Sequence, residues 1–203
     1  MITKKDMIYI EELLEKEYPK ILKDINFDSS IKEIGHSFAG PWEDKLVNYL
    51  LDSSAHFTPA EDIEDAPIRG MADIVFKGNY INIKFGYNKK GQPNVCAMSK
   101  LLEFLHDDTI DSYYLLVFDA YDSSIHFFDV YDYLDYVAFN YGPGQVMLKE
   151  VKFKKAYKFN ETSGLTKRDK IKKLHEMTKV AEAKKKESID KKQKVYDEIM
   201  NEY

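Results

Sequence analysis

The chain has 203 residues, 44% of them hydrophobic, including 15 Tyr and 12 Phe, which is enough apolar material for one ordinary domain and too much for a disordered one. A single cysteine, Cys96, excludes an intramolecular disulfide framework, and no run approaches the roughly 20 apolar residues of a membrane-spanning helix. The net charge of −5 argues against a protein that coats nucleic acid, yet it is uneven: residues 166–203 carry 12 Lys/Arg against 8 Asp/Glu, the first 165 carry 18 against 27.

Met1 to Asp6 lacks the apolar run and small-residue cleavage site of a secretory signal, which predicts a soluble, cytoplasmic protein with no membrane partner. Met7, Ile10, Leu14, Tyr18 and Ile21 recur at helical spacing and predict an amphipathic helix over 4–24. Gly35 to Gly40 breaks the chain, and Trp42 to Leu51 reads as a second helix with Pro41 at its first position. Residues 54–68, rich in Asp, Glu, Pro and Ala, read as a loop. Within Ala72 to Phe85 two β-rich runs flank Gly78-Asn79 and read as a hairpin that turns there, with Asp73 near the start of its first strand. Residues 86–94 read as a loop, Val95 to His106 as a helix, and Tyr113–Phe118 and Ile125–Val130 as strands joined at Asp122-Ser123-Ser124. A short Tyr/Asp helix, a loop over Asn140–Gln145 and one or two strands over Val146–Lys158 follow. From Thr166 the chain is a charged helical segment without a steady heptad. The expected fold is α/β in the α+β-like sense, a central mixed β-sheet flanked by helices. Residues 1–160 form the domain, and 161–203 form a helical extension packed on it or swapped with a second copy.

The hairpin carries the chemistry. Residues two apart in a strand share a face, so Asn82 and Lys84 project together while Ile81, Ile83 and Phe85 face the other way. A turn at 78–79 sets Asp73 opposite residue 84. One carboxylate, one amide and one amine are thus expected on one sheet face.

Asp73, eight residues, then Asn82-Ile83-Lys84 resembles the active site of the PD-(D/E)XK nuclease superfamily, which includes most type II restriction endonucleases. An upstream helical acid often joins that pattern, and Glu43 in Trp42-Glu43-Asp44-Lys45 is the matching residue, with Asp44 its alternative. The order helix, hairpin, helix, strand agrees over residues 35–120. Two departures stand out: Ala72 replaces Pro before Asp73, and Asn82 replaces the acidic ligand. The resemblance implies a restriction-endonuclease-like fold and a catalytic set of Asp73, Asn82, Lys84 and Glu43. It also implies Mg²⁺ held by Asp73, Glu43 and Asn82, an amide oxygen being an uncharged ligand for a hard cation.

Such a set suits phosphodiester hydrolysis. A carboxylate-held Mg²⁺ lowers the pKa of the attacking water and pairs with phosphate oxygen, while Lys84 orients the water or balances transition-state charge. The expected reaction is cleavage of double-stranded DNA by a homodimeric type II restriction endonuclease, one site for each strand. A repair or junction-resolving nuclease of the same fold, or a DNA-binding module inactivated through Asn82, are the alternatives. Asn88, Lys89, Lys90, Gln92 and Asn94 are the groove-contact candidates, with Arg69 on phosphate. Glu61, Asp62, Glu64 and Asp65 are further possible ligands, and residues 140–145 and the Lys-rich segment 167–194 further DNA contacts. Five histidines without ligand spacing, and no paired cysteines, argue against zinc. No phosphate-binding loop, dinucleotide glycine pattern or Gly-x-Ser-x-Gly is present.

Overall fold

The computed structural model describes residues 2–27, 39–52, 63–65, 72–86, 94–107, 112–120, 123–140, 144–148 and 164–202. Helix α1 (Lys4–Asp24) opens on a capping box in which the Thr3 hydroxyl accepts from the Asp6 amide and the Asp6 carboxylate accepts from the Thr3 amide. Its apolar stripe is the expected one: Ile10, Leu14, Tyr18 and Ile21 are buried. Helix α2 (Ala39–Asp52) begins two residues ahead of Pro41, and its buried stripe is Trp42, Leu46 and Leu50.

Five strands form the main sheet: β1 (Ile63–Asp65), β2 (Ile74–Phe76), β3 (Asn79–Gly86), β5 (Tyr114–Asp119) and β6 (Ser124–Asp129), in that spatial order. All neighbours are antiparallel except β3 and β5, which run parallel. Between β3 and β5 the chain passes through β4 (Asn94–Ala97) and α3 (Met98–His106). A second, three-stranded sheet has the order β4, β8 (Gln145–Leu148), β7 (Val137–Asn140). The chain is therefore an α+β protein with a mixed central sheet and helices packed on it.

Three local expectations need correcting. Residues 63–65 form a strand inside the expected loop, paired so that Asp65 lies opposite Ile74. Residues 94–97 form a strand, and the helix starts at Met98. The partner of β4 is β8, about fifty residues on, where no local periodicity can register it. Residues 137–140 also form a strand, hairpinned onto β8.

The core has two compartments, one on each face of the sheet. On one side α1 and α2 cover Ile74, Phe76, Ile81, Ile83, Phe85, Leu116 and Phe118. On the other, Leu115, Val117 and Phe128 pack against α3, the second sheet and Leu174 of the long C-terminal helix α4 (Lys167–Glu202). Every residue of β5 is buried because it alternates between the two compartments from the centre of the sheet.

Among the described residues β6 is an edge strand of the main sheet, and its outer amides find no partner strand. Carboxylates of α1 close them: Phe127 N–H donates to Glu11 Oε2 at 2.9 Å and Ile125 N–H to Glu15 Oε1 at 3.4 Å. Charged side chains reaching over a sheet edge both satisfy it and discourage pairing with another chain.

At the end of β6, Asp129 is buried and its Oδ1 accepts the amides of Tyr113 and Tyr131, fixing the start of a 3₁₀ segment (Val130–Tyr136). Burial pushes its carboxyl up to about 6 from an ordinary 3.8, with the two amides and Lys170 of α4 opposing the rise. A raised carboxyl makes the folded protein bind more protons than the unfolded chain between those two values. Stability contributed here is full below pH 4, falls as pH rises toward 6, and is flat above. The two-unit shift corresponds to about 3 kcal/mol at most. Asn at this position keeps the acceptor oxygen and removes the proton. Thermal unfolding of Asp129→Asn between pH 4 and pH 8 is expected to lack that decline, and a variant curve parallel to the wild type would remove Asp129 as its source.

Candidate active site

Construction of the site starts at the β2–β3 turn. The central residues are Lys77 and Gly78, both with positive φ (48° and 71°), the pattern of a two-residue type I′ turn. Asn79 opens β3, and its Nδ2 donates back to Lys77 O at 2.8 Å. The turn sits one residue earlier than Gly78-Asn79 suggests, so Ile74 pairs with Ile81. Asp73 accordingly lies beside Ile81 and Asn82, not opposite residue 84. Lys77 Nζ also meets Asp6 Oδ1 at 3.2 Å, fastening the turn to the start of α1.

Strand β3 outruns β2. Among the described residues no strand lies beyond Ile81 on the β2 side for the β3 amides to donate to, and two carboxylates take the place of strand carbonyls. Asp73 Oδ2 accepts from Ile83 N–H at 2.6 Å, while the Asp73 amide donates to Ile81 O at 3.0 Å. Glu43 reaches over from α2, and its Oε1 accepts from Phe85 N–H at 3.3 Å. Its other oxygen, Oε2, receives Lys84 Nζ at 3.0 Å. The amides of Ile83 and Phe85 are two residues apart on one strand, roughly 6.6 Å. Asp73 and Glu43 therefore bracket Lys84 along a single open edge. The expectation of a cluster on a sheet face is thereby corrected: the carboxylates lie along the edge, because that is where unpaired amides call for them.

Asn82 and Lys84 do share a face, as strand alternation predicts, and their β5 register partners are Leu115 and Val117. Asn82 is buried, whereas Lys84 stays partly exposed at the edge, its side chain at 19% against 22% for Glu43. Lysine carries its charge on a long stem, so the ammonium reaches Glu43 at the rim. Asp44, one residue along α2, is exposed and takes no part in the edge.

Behind Lys84 and Asp73 the environment turns apolar. Cys96 and Tyr113 are buried there. Burial pushes the Cys96 thiol up to about 12. Burial first, and then Cys96 itself, raise the Tyr113 phenol, with Asp73 adding to the rise. At neutral pH both are uncharged, and Cys96 is a small core side chain with no nucleophilic thiolate to offer.

Arg69, Asn88, Lys89, Lys90 and Gln92, along with Glu61 and Asp62, lie outside the described residues. Asn94 is described and exposed at the first residue of β4.

Among the described residues no group of three or more His, Cys, Asp or Glu side chains is placed to hold a metal ion. A cation at this edge would rest on two carboxylates. That suits Mg²⁺, which commonly binds one or two carboxylates and completes its shell with water and phosphate oxygen. Asp73 uses only Oδ2 among the described residues, leaving Oδ1 for such a ligand, but Glu43 has both oxygens engaged and would have to share Oε2 with Lys84. By donor chemistry Asp73 and Glu43 are the residues here that would hold a hard divalent cation.

Sequence reasoning named Asp73, Asn82, Lys84 and Glu43 as candidates but missed what the carboxylates do for the fold. The signal was the difference in length between the two strands, Ile74–Phe76 against Asn79–Gly86, which leaves amides over. Compared with protein-family models, curated proteins and solved structures, the chain shows no significant match to any.

Proposed function

We propose that this chain is a Mg²⁺-dependent endonuclease that hydrolyses phosphodiester bonds of double-stranded DNA, of the type II restriction kind with a PD-(D/E)XK-like site. The observation that carries the reading is the placing of two carboxylates, Asp73 and Glu43, on either side of the Lys84 ammonium along one open strand edge. Two acids at a partly exposed rim are suited to a hard cation, and an amine beside them brings positive charge to where negative charge develops on phosphorus.

Asp73 and Glu43 would hold Mg²⁺, with Asn82 adding an uncharged amide oxygen. The ion supplies an acidified water and neutralises phosphate charge. Lys84 performs the rest. Its ammonium, fixed by Glu43 Oε2, presents donors to a water at the rim and a positive charge to the scissile phosphate. The apolar wall of Val117 and Cys96 behind it keeps that charge poorly screened. Duplex DNA has two strands, and one site attacks one phosphate, so a two-fold homodimer is the economical assembly.

One observation favours a second reading. Glu11 and Glu15 close the far edge of the same sheet in the same way, so edge closure alone accounts for Asp73 and Glu43. The chain would then be a DNA-binding module without catalysis, in keeping with Asn82 where an acid is usual. Incubation with a mixed-sequence plasmid and Mg²⁺ or Mn²⁺ separates the readings. Discrete fragments are expected. Preference for branched DNA would point to a junction-resolving or repair nuclease of the same architecture. DNA binding without cleavage in either metal would leave only the second reading.

A further inference from the structure

The small sheet has two faces of different chemistry. Inward it buries Val137, Val146 and Leu148 in the second core compartment. Strand alternation then turns Ala138, Asn140, Gln145 and Met147 outward. Strand β4 joins the same scheme through a bulge. Asn94 pairs with Met147 but Cys96 with Val146, so Val95 and Cys96 are both buried while Asn94 and Ala97 lie with the outward set. Asn94 and Asn140 are exposed, and Gln145 is half-buried. None of these six outward residues is charged, in a chain that is 32% Asp, Glu, Lys and Arg. Three of them carry carboxamides, and among the described residues no hydrogen bond occupies those groups. Gly144 O accepts the Met98 amide at 3.0 Å, which pins the turn end of the β7–β8 hairpin to the start of α3. Asn94 and residues 140–145 are separate groove-contact candidates in the sequence; β8 lays them side by side.

We infer that Asn94, Asn140 and Gln145 together form a base-reading surface, the part of the protein that gives DNA recognition its sequence preference. The inference rests on duplex DNA being the substrate, as proposed above, but not on the chemistry at Lys84. Phosphates call for cations, and a face without Lys or Arg is poorly suited to them. Base edges present donors and acceptors side by side. A carboxamide carries both, so it matches such an edge without stranding a charge. Asn140 and Gln145 face each other across the ladder, about 5 Å apart, and Asn94 lies one strand and two residues from Gln145, roughly 8 Å. The set thus spans roughly 12 Å, the width of the major groove, which admits a two-stranded ribbon such as β7–β8. Because Asn and Gln pair bidentately with adenine N6 and N7, A·T pairs are the expected targets.

The test incubates the full chain with a pool of randomised duplexes in metal-free buffer, so that nothing is cut, and sequences the duplexes retained. A consensus containing adenine is expected. Asn94→Ala, Asn140→Ala and Gln145→Ala should each relax it at a separate position by about 10–100-fold, with melting temperature and affinity for unrelated DNA unchanged. Gln145→Glu should exchange adenine for cytosine at the position Gln145 reads, because a carboxylate accepts from cytosine N4 and cannot donate. A merely structural role would not produce that exchange. A consensus in a chain that never cleaves in Mg²⁺ keeps this inference and removes the nuclease reading. A wild type that retains no DNA, or retains it without sequence preference, overturns the inference. So does a wild-type consensus kept by Gln145→Glu and the three alanine variants, even in a chain that cleaves.

Discussion

Lys84→Ala is expected to cut Mg²⁺-supported plasmid cleavage by at least about 10²–10³-fold, the usual consequence of removing a charge poised at a developing oxyanion. Stability should barely change. The Lys84–Glu43 pair lies at a rim with side chains 19% and 22% exposed, and after truncation Glu43 still accepts from the Phe85 amide. A pair of this kind contributes about 1 kcal/mol or less. Loss of activity with an unchanged melting temperature assigns Lys84 to the chemistry. Cleavage at the wild-type rate by Lys84→Ala would remove it from the mechanism and leave only the ion pair.

Asp73 presents the opposite case, in which fold and chemistry draw on the same carboxylate. Asp73→Ala deprives the Ile83 amide of its acceptor next to a fully buried side chain, an unsatisfied donor that costs about 1–3 kcal/mol. Activity is expected to vanish too, but inactivity in a destabilised protein says little. Asp73→Asn separates the two. It keeps an oxygen for Ile83 N–H and so keeps most of the stability, while losing the negative charge that a hard cation needs. The expected result is a variant that melts close to the wild type and does not cleave in Mg²⁺. If Asp73→Asn cleaves normally, the carboxylate belongs to the strand edge alone and the second reading gains its strongest support.

The two carboxylates show how the site is put together. In a sheet, an amide beyond the end of its neighbouring strand must find an acceptor, and a buried one left unpaired is expensive. Strand β3 has such amides at Ile83 and Phe85 because β2 stops at Ile74. The edge of β6 has the same need and meets it with Glu11 and Glu15. At the β3 edge Lys84 adds a positive charge between the acids. Structural necessity would supply the acids in either case. The amine is the residue that edge closure does not explain.

The sequence by itself determined the helices, α1 above all, since the apolar period of Ile10, Leu14, Tyr18 and Ile21 is a local property. It likewise determined the central strand, whose continuous apolar run Tyr114–Phe118 can only be buried on both faces, and the sharing of a face by Asn82 and Lys84, which follows from strand alternation. Only the tertiary structure decided the rest. Whether the turn fell on Lys77-Gly78 or Gly78-Asn79 depended on which register buried Ile74 against Ile81. Strand β4 became a strand because β8, itself hairpinned to β7, lay beside it, a pairing across about fifty residues that leaves no periodic trace. Glu43 became a neighbour of Lys84 because α2 packs Trp42 and Leu46 on the face that holds Phe85. Sequence encodes faces through spacing, but it does not encode edges: those exist only once strands of unequal length are laid side by side.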